Sequence, residues 1–407
     1  MRRQRHVDVL VVGAGPAGLA AAARLSASGA GTVEVLEREA RAGGVPRHCL
    51  HRGFGRWGVT GPQYAENLVE AALGAGAAVR TGVTATGWDG PLSLDTTGPH
   101  GLERITARAV LLATGARERP RTARLVPGTR PAGVFTTGEL QQAIHLHGQE
   151  IGSRAVVVGA EPVSYEALSA LRRAGVRVAA LVTEETRAQV GRARAAAARL
   201  GVAGVPLVTG AAVAELLGRG RLSGVRLRHR DGRQAVMACD TVVFTGDFIP
   251  DHELARRGGV FLDPGTRGPA VDGWFRTASP GIFAAGNGVH AAEPARVAAG
   301  EGERVAESVR GWLEGAGWPA DAVPVLADGP LRWVAPNRLT PGTAVPRFVL
   351  RTTEPLIRPV LEVTQNGRRL HSERVRRRVL PNQGLYLGGG WAGRVDAEGG
   401  AVRMRAL

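Results

Sequence analysis

A glycine-rich turn between an apolar strand and an alanine-rich helix constrains the fold of this chain more than any other segment. Residues 9–12 form a short apolar run, typical of a strand buried on both faces, and GAGPAG follows at residues 13–18. A second apolar run, Val33 to Leu36, ends in Glu37, about twenty residues after the last glycine. This order of strand, turn, helix, strand and terminal acid predicts a βαβ unit that binds a dinucleotide.

Each glycine of the turn has a separate physical role in such a unit. Gly13 permits the tight turn, Gly15 lets the backbone approach a pyrophosphate, and Gly18 lets the helix pack closely on the strand. The N-terminus of the helix offers unpaired N–H groups and a positive dipole end to the phosphates. Glu37 can accept hydrogen bonds from a ribose 2′-hydroxyl.

The composition limits the classes of partner. The net charge of +16 rests entirely on arginine, because the 407-residue chain contains no lysine. No helix-turn-helix, zinc-finger or RNA-recognition motif accompanies this charge, so we expect no nucleic-acid partner. Arginine-rich codon usage and a basic surface for an anionic substrate or acidic partner both remain open. No apolar run is long enough to span a membrane, and we interpret the chain as cytoplasmic, without leader or anchor.

A second βαβ pattern begins at Ala155, and a return segment ends in GIFAAGN at residues 281–287. With Gly43-Gly44, Ala113-Thr114-Gly115 and Thr245-Gly246-Asp247, this order resembles the two-dinucleotide-binding-domain flavoproteins, which include the pyridine nucleotide-disulfide oxidoreductases. The segments GGVPRHCLHRGFG, TGPQYAENL, ATGARERPR and GTRPAGVFTTGELQ resemble a branch of FAD-dependent oxidoreductases that includes subunits of opine oxidase and hydrogen cyanide synthase.

The resemblance implies an α/β fold with two Rossmann-like FAD/NAD(P)-binding domains, the second inserted in the first, and a small all-β C-terminal domain. Short alternating apolar runs near the C-terminus and the hairpin signal Asn366-Gly367 also favour that β domain. We therefore expect an FAD-binding domain at 1–150 and 246–318, an NAD(P)-binding-like domain at 151–245, and the β domain at 319–407.

The resemblance also implies which residues hold FAD. The expected contacts are Gly13, Gly15, Pro16, Ala17 and Gly18 at the pyrophosphate, Glu37 and Arg38 at the ribose, Val83 at the adenine, Gly43, Gly44 and Val45 near the flavin, Ala113, Thr114 and Gly115 at the crossover, and Gly286, Asn287 and Val297 at the ribityl chain and flavin edge. The family has Asp where Asn287 stands, but Asn still donates and accepts hydrogen bonds, so FAD binding is retained. Residues 240–407 contain no cysteine, so we expect no iron–sulfur cluster and no other metal site.

The second glycine turn departs from the pattern. Residues 159–164 read GAEPVS, so Glu161 replaces the middle glycine and Ser164 replaces the last. The side chain and charge of Glu161 would oppose a pyrophosphate at that point. Either NAD(P)H binds weakly or off-register, or this domain is a scaffold. If a nucleotide binds, Glu184 favours NADH, although Arg187 leaves NADPH open.

Two side chains are candidates for catalysis. Cys49 stands alone between His48 and His51, and could act as a thiolate or sulfenic acid, although a buried, inert thiol is the favoured interpretation. His290 follows the late glycine motif as a candidate general base or substrate clamp. The pair of redox cysteines that disulfide reductases carry is absent from this sequence.

These observations predict a flavin-dependent oxidoreductase without a redox disulfide. It would move a hydride between a small organic substrate and NAD(P)H or another electron carrier. The alternative is an electron-relay or scaffold subunit that works with a second flavoprotein. A homo-oligomer also remains open.

Overall fold

The computed structural model describes residues 2–55, 58–191, 204–319 and 321–407. The chain divides into two compact units, of which the second consists of His48–His51 and Arg117–Phe248 and the first of the remaining residues. One unit is therefore inserted into the other, as predicted. The inserted unit begins before the predicted residue 151, because the strand Val134–Thr136 pairs in parallel with Thr241–Phe244.

The first unit contains a seven-stranded sheet built around the predicted βαβ unit. Its strands, in spatial order, are Ala78–Thr81, Val33–Glu37, Arg3–Val12, Gly101–Leu112, Ser93–Gly98 and Thr84–Trp88, and Ile282–Ala284 also pairs with Gly101–Leu112. Arg3–Val12 runs parallel to both neighbours, with Val9 opposite Val33 and Ala109. Gly101–Leu112 is one continuous strand, and it pairs with Arg3–Val12 from the Arg3–Glu103 pair to the Val12–Leu112 pair.

Five α-helices accompany this sheet among the described residues of the unit. They are Pro16–Ala27, Gly61–Gly74, Glu253–Arg257, Asn287–His290 and Ala295–Leu313, and single turns of 3₁₀-helix lie at Val45–His48 and Ala392–Arg394. A capping box begins Gly61–Gly74, since the Thr60 N–H donates to Gln63 Oε1 at 3.0 Å. Helices Pro16–Ala27 and Ala295–Leu313 pack so closely that a Cβ at Gly302 would lie 2.1 Å from the Ala17 carbonyl oxygen.

The C-terminal region of the first unit is all-β, as predicted. Its strands are Val323–Ala327, Leu331–Ala335, Arg338–Leu339, Arg347–Thr352, Leu356–Ile357, Val360–Gln365, Arg368–Arg374, Arg378–Val379, Leu385–Gly388 and Val402–Ala406. Asn366 and Gly367 have φ of +49° and +78°, which is the conformation of the predicted type I′ hairpin. Phe348 and Trp391 stack in the core, with ring centroids 5.0 Å apart.

The second unit contains a five-stranded parallel sheet and a three-stranded antiparallel sheet. The parallel strands are Leu207–Thr209, Arg177–Thr183, Arg154–Val158, Thr241–Phe244 and Val134–Thr136, and the antiparallel strands are Ala211–Arg219, Arg221–His229 and Gln234–Ala238. Helices Thr137–His145 and Pro162–Arg173 accompany them, and Ala116–Glu118 pairs with Phe248–Pro250. No helix among the described residues of the chain is long and apolar enough to cross a membrane.

Candidate functional site

The first glycine turn has the close approaches that its sequence predicts. Gly13 has φ +107°, and a Cβ there would lie 2.4 Å from the Ala113 carbonyl oxygen. A Cβ at Gly18 would lie 2.0 Å from the carbonyl oxygen of Gly13. Gly15, by contrast, has no atom within 4 Å of its Cβ position. The turn is therefore tightly packed at Gly13 and Gly18 and open at Gly15, beside the N-terminus of helix Pro16–Ala27.

Glu37 is held at the end of its strand with both oxygens oriented. Its Oε2 accepts the Ala14 N–H at 3.2 Å and its Oε1 accepts the Glu39 N–H at 2.9 Å. Burial raises the pKa of Glu37, and the two backbone donors oppose that rise. Each oxygen keeps a lone pair for a further donor. The neighbouring Arg38 is exposed, with its Nη1 3.4 Å from Asp251 Oδ2.

Two further predicted segments lie against these residues. The Gly43 N–H donates to the Ala14 carbonyl at 2.8 Å, and Gly44 is so close to the turn that a Cβ would lie 2.9 Å from Gly15 Cα. Val45 follows with 57% of its surface exposed. The Val83 N–H donates to the Glu37 carbonyl, which leaves only its carbonyl group for an adenine.

Two further predicted segments are the crossover, residues 113–115, and the late glycine motif, residues 281–287. Thr114 Oγ1 donates to the Asp251 carbonyl at 2.6 Å, and Gly115 has φ +75°. Gly286 has φ +74°, and a Cβ there would lie 2.7 Å from the Cβ of Ala17. The late motif therefore packs directly on the first turn of helix Pro16–Ala27. Val297 is buried in the first turn of helix Ala295–Leu313, with its N–H donated to the Pro294 carbonyl.

The turn of the second unit repeats this geometry with one decisive change. Gly159 has φ +137° and corresponds to Gly13. Glu161 precedes helix Pro162–Arg173 with φ −94° and ψ 173°, close to the φ −86° and ψ −174° of Gly15 before its own helix. Thr245-Gly246 follows its strand as Thr114-Gly115 follows Gly101–Leu112.

The carboxylate of Glu161 folds back into the turn. Its Oε2 accepts the Ala160 N–H at 2.9 Å, and its Oε1 accepts the Thr245 hydroxyl at 2.7 Å. A Cβ at Gly246 would lie 2.3 Å from the same Oε1. Ser164 Oγ bonds Thr245 Oγ1 at 2.7 Å and fixes that hydroxyl. A carboxylate of the chain itself therefore lies against the backbone of this turn and against Thr245.

Comparison with known proteins assigns the family. The model of the pyridine nucleotide-disulphide oxidoreductase family matches residues 7–302. The chain belongs to this family. Its members use FAD and NAD(P)H.

Curated relatives and solved structures agree with this family. An opine oxidase subunit of Rhizobium meliloti is 30% identical over 322 residues, which are 71% of this chain and 60% of the relative. Hydrogen cyanide synthase subunit HcnB of Pseudomonas protegens is 27% identical over 71% of this chain and 68% of its own length. The chain spans 35% of the length of one opine oxidase subunit and 60% of the length of another. Thioredoxin reductase of T. acidophilum shares the fold, with a TM-score of 0.63 and 23% identity over 75% of this chain and 98% of its own.

The residues of the first turn fit FAD, whereas those of the second turn do not fit a dinucleotide. Only the first has an open, Cβ-free approach to a helix N-terminus, at Gly15, with an oriented acid at Glu37. Gly13, Gly15 and Pro16 to Gly18 would hold the pyrophosphate of FAD, and Glu37 its ribose. When bound, FAD supplies a two-electron acceptor that exchanges a hydride with substrate.

Asn287 is engaged within its own loop. Its Nδ2 donates to the Glu293 carbonyl at 3.0 Å, and its Oδ1 accepts the Glu293 N–H at 3.0 Å. An aspartate could not make the first of these bonds, because a carboxylate has no donor. The amide therefore closes the loop 287–293 and retains one N–H and one lone pair for a ribityl hydroxyl.

His290 lies within this loop and is buried, whereas a substrate clamp would be exposed. Its Nε2 lies 3.0 Å from Glu301 Oε1, and both side chains are only 3% exposed. Burial lowers the pKa of His290, but the Glu301 carboxylate outweighs burial and holds that pKa above its ordinary value. Glu301 Oε2 also accepts the Gly286 N–H at 2.9 Å. His290 is thus suited to fixing the late motif through Glu301.

The sequence did not indicate a second buried pair next to His290. Arg351 Nη1 lies 2.7 Å from Glu293 Oε1, and Tyr386 donates its hydroxyl to Glu293 Oε2 at 2.7 Å. Trp333 lies between the two pairs, 5.8 Å from the His290 ring and 5.4 Å from the Arg351 guanidinium. The only sequence signal for this pair was an arginine within an apolar β-strand, and that signal does not indicate which acid it contacts.

Cys49 belongs to the second unit, whereas the FAD turn belongs to the first. Its Sγ lies 3.5 Å from Gln141 Oε1 and only 6% of the residue is exposed. Burial, reinforced by Glu166 and Glu118, raises the pKa of the Cys49 thiol to about 12. Such a thiol is protonated and weakly nucleophilic at neutral pH.

Proposed function

We propose that this chain exchanges a hydride between FAD and a small organic substrate, and that its second electron carrier is not NAD(P)H. The observation that carries the proposal is the Glu161 carboxylate, bonded to the Ala160 N–H and the Thr245 hydroxyl inside the second turn. A nucleotide phosphate would have to displace this carboxylate or lie beside it. Two like charges about 4 Å apart repel by about 1–4 kcal/mol at effective dielectric constants of 80 to 20.

We further propose that no disulfide takes part. The chain has two cysteines, and both are buried. Burial raises the pKa of Cys49 to about 12 and that of Cys239 to about 11. Neither thiol offers the low-pKa thiolate that attacks a disulfide.

The roles that we assign to the chain's own residues are binding and orientation. The turn 13–18 and Glu37 hold FAD, and Glu301 holds the late motif through the Gly286 N–H. With FAD bound, the positive dipole end of helix Ala295–Leu313 would favour the negative charge that reduction adds to the flavin. The buried His290–Glu301 pair keeps this arrangement rigid.

A second proposal is that the chain works as one component of a larger complex and relays electrons to a partner. The matched relatives are named as subunits of opine oxidase, sarcosine oxidase and hydrogen cyanide synthase. The net charge of +16 suits an acidic partner protein. The second electron carrier would then be the flavin, or another electron acceptor, of that partner.

Reoxidation of the reduced protein tests the proposal without a known substrate. The FAD-loaded protein is reduced anaerobically with one equivalent of dithionite, and recovery of flavin absorbance is followed after mixing with NAD⁺, NADP⁺ or the dye dichlorophenolindophenol. We expect rapid recovery with the dye and little with either nucleotide. Rapid, saturable recovery with NAD⁺ or NADP⁺ would contradict the proposal and make the chain an ordinary nicotinamide-dependent enzyme. Reduction of the chromogenic disulfide dithionitrobenzoate at a comparable rate would contradict the absence of disulfide chemistry.

A further inference from the structure

A small basic cavity lies between helix Ala295–Leu313 and the C-terminal strands of the first unit. Its volume is about 170 Å³. The residues that line it are Arg296, Val297, Gly300, Arg304, Arg347 and Tyr386. Three of these six residues carry a positive charge and none carries a negative one. The cavity is separate from both glycine turns, whose residues do not line it.

The spacing of the helix brings two of the arginines to one wall. Arg296, Gly300 and Arg304 are four residues apart, so they lie one above another on the same helix face. Gly300 has no atom within 4 Å of its Cβ position and leaves the space between the two arginines open. Arg347 faces them from the strand Arg347–Thr352, with its guanidinium 4.5 Å from the Tyr386 ring centroid.

None of the three guanidiniums has an ion pair with a described residue. Among the described residues, the Arg304 side chain hydrogen-bonds the Gly300 carbonyl, at 3.3 Å, and its guanidinium lies 5.0 Å from the Phe275 ring centroid. Burial lowers the pKa of Arg304, Glu301 opposes that effect, and the positive charge of Arg347 adds to it. Like charges that converge on one cavity are stabilised by an anion between them.

Two buried acids beside these residues are already committed to other cations. Glu293 is fully buried and pairs with Arg351, and it also accepts the Tyr386 hydroxyl. Glu301 pairs with His290. The Tyr386 proton is held by Glu293, and burial followed by that bond raises the pKa of Tyr386 to about 12. Tyr386 therefore contributes an apolar ring, and the guanidiniums supply the hydrogen-bond donors.

We infer that this cavity binds a small oxyanion, a carboxylate or a phosphate group, between Arg296, Arg304 and Arg347. Guanidinium groups match both anions through pairs of parallel N–H donors. Val297 lines the cavity and also lies in the helix turn that we expect at the flavin edge. An organic anion held here would have its carboxylate or phosphate group close to the first helix turn.

Direct binding to the FAD-loaded full chain tests the inference. Isothermal titration with succinate and with inorganic phosphate, at constant ionic strength in chloride, gives the dissociation constants. We expect saturable binding of at least one anion, weakened at least tenfold in Arg304→Gln and in the more exposed Arg296→Gln. Arg310→Gln is the matched control, because Arg310 lies on the same helix, pairs with Glu314 and does not line the cavity.

The outcomes distinguish the ligand sources and the failure of the inference. Tighter binding of succinate assigns the site to an organic acid, and tighter binding of phosphate assigns it to a phosphorylated molecule. Absence of saturable binding for both, or equal binding by Arg296→Gln and Arg310→Gln, would overturn the inference. The flavin absorbance of each variant shows separately whether the FAD site is retained.

Discussion

Replacing Glu161 with glycine should open the second turn to NADH. The change removes the carboxylate that accepts the Ala160 N–H and the Thr245 hydroxyl. It also makes the residue a glycine, like its counterpart Gly15. Glu161 has φ −94° and ψ 173°, which glycine adopts without strain. We therefore expect the backbone of the turn to stay in place.

The gain in affinity follows from the repulsion that the change removes. A phosphate about 4 Å from the carboxylate is destabilised by about 1–4 kcal/mol, which corresponds to a roughly 5- to 900-fold lower dissociation constant for NADH in Glu161→Gly. The variant also loses two hydrogen bonds to a charged acceptor. Because the residue is only partly buried, we expect a cost in unfolding free energy of about 1–3 kcal/mol.

Anaerobic stopped-flow spectroscopy measures the effect through the bleaching of the flavin band as NADH concentration is varied. The native protein should be reduced slowly and saturate poorly, and Glu161→Gly should saturate at much lower NADH. Glu161→Gln separates charge from volume: it should gain affinity if repulsion dominates and remain unresponsive if the side chain simply occupies the space.

Two results would refute this reasoning. Fast reduction of the native protein at micromolar NADH would mean that the carboxylate does not obstruct the nucleotide. An unchanged NADH dependence in a Glu161→Gly variant that retains its FAD would mean that something other than Glu161 limits binding. Either result would return NAD(P)H to the reaction as the electron carrier.

Further predictions concern the first unit and the thiols. Gly15→Glu should fold, because its Cβ faces open space, but should purify without FAD; a yellow variant would contradict the role of that opening. Cys49→Ser should keep its flavin and most of its turnover, and alkylation of native Cys49 at neutral pH should be at least about 1000-fold slower than that of free cysteine. Glu301→Gln should lower the free energy of unfolding in urea by about 3–5 kcal/mol by leaving His290 unpaired. That difference should shrink as pH rises through the elevated pKa of His290, and a pH-independent difference would contradict the ion pair.

Local sequence rules determined the elements whose geometry depends on a few neighbouring residues. The GAGPAG turn and the Asn366-Gly367 hairpin were predicted correctly, because each rests on sterics or hydrogen bonds within about six residues. The strand Ala211–Arg219 was not predicted. Its alanines, leucines and glutamate are strong helix formers, and only pairing with Arg221–His229 makes the segment a strand.

The sequence by itself determined that the chain has two dinucleotide-type turns and that Glu161 alters the second. Only the tertiary structure decided which groups the charged side chains contact. It bonds the Glu161 carboxylate to Thr245, pairs buried His290 with Glu301, and gathers Arg296, Arg304 and Arg347 around one cavity. The two paired contacts join residues that are 84 and 11 positions apart in the chain. Long-range pairs of this kind follow from packing, because a charge that burial removes from water takes whichever partner the fold brings near.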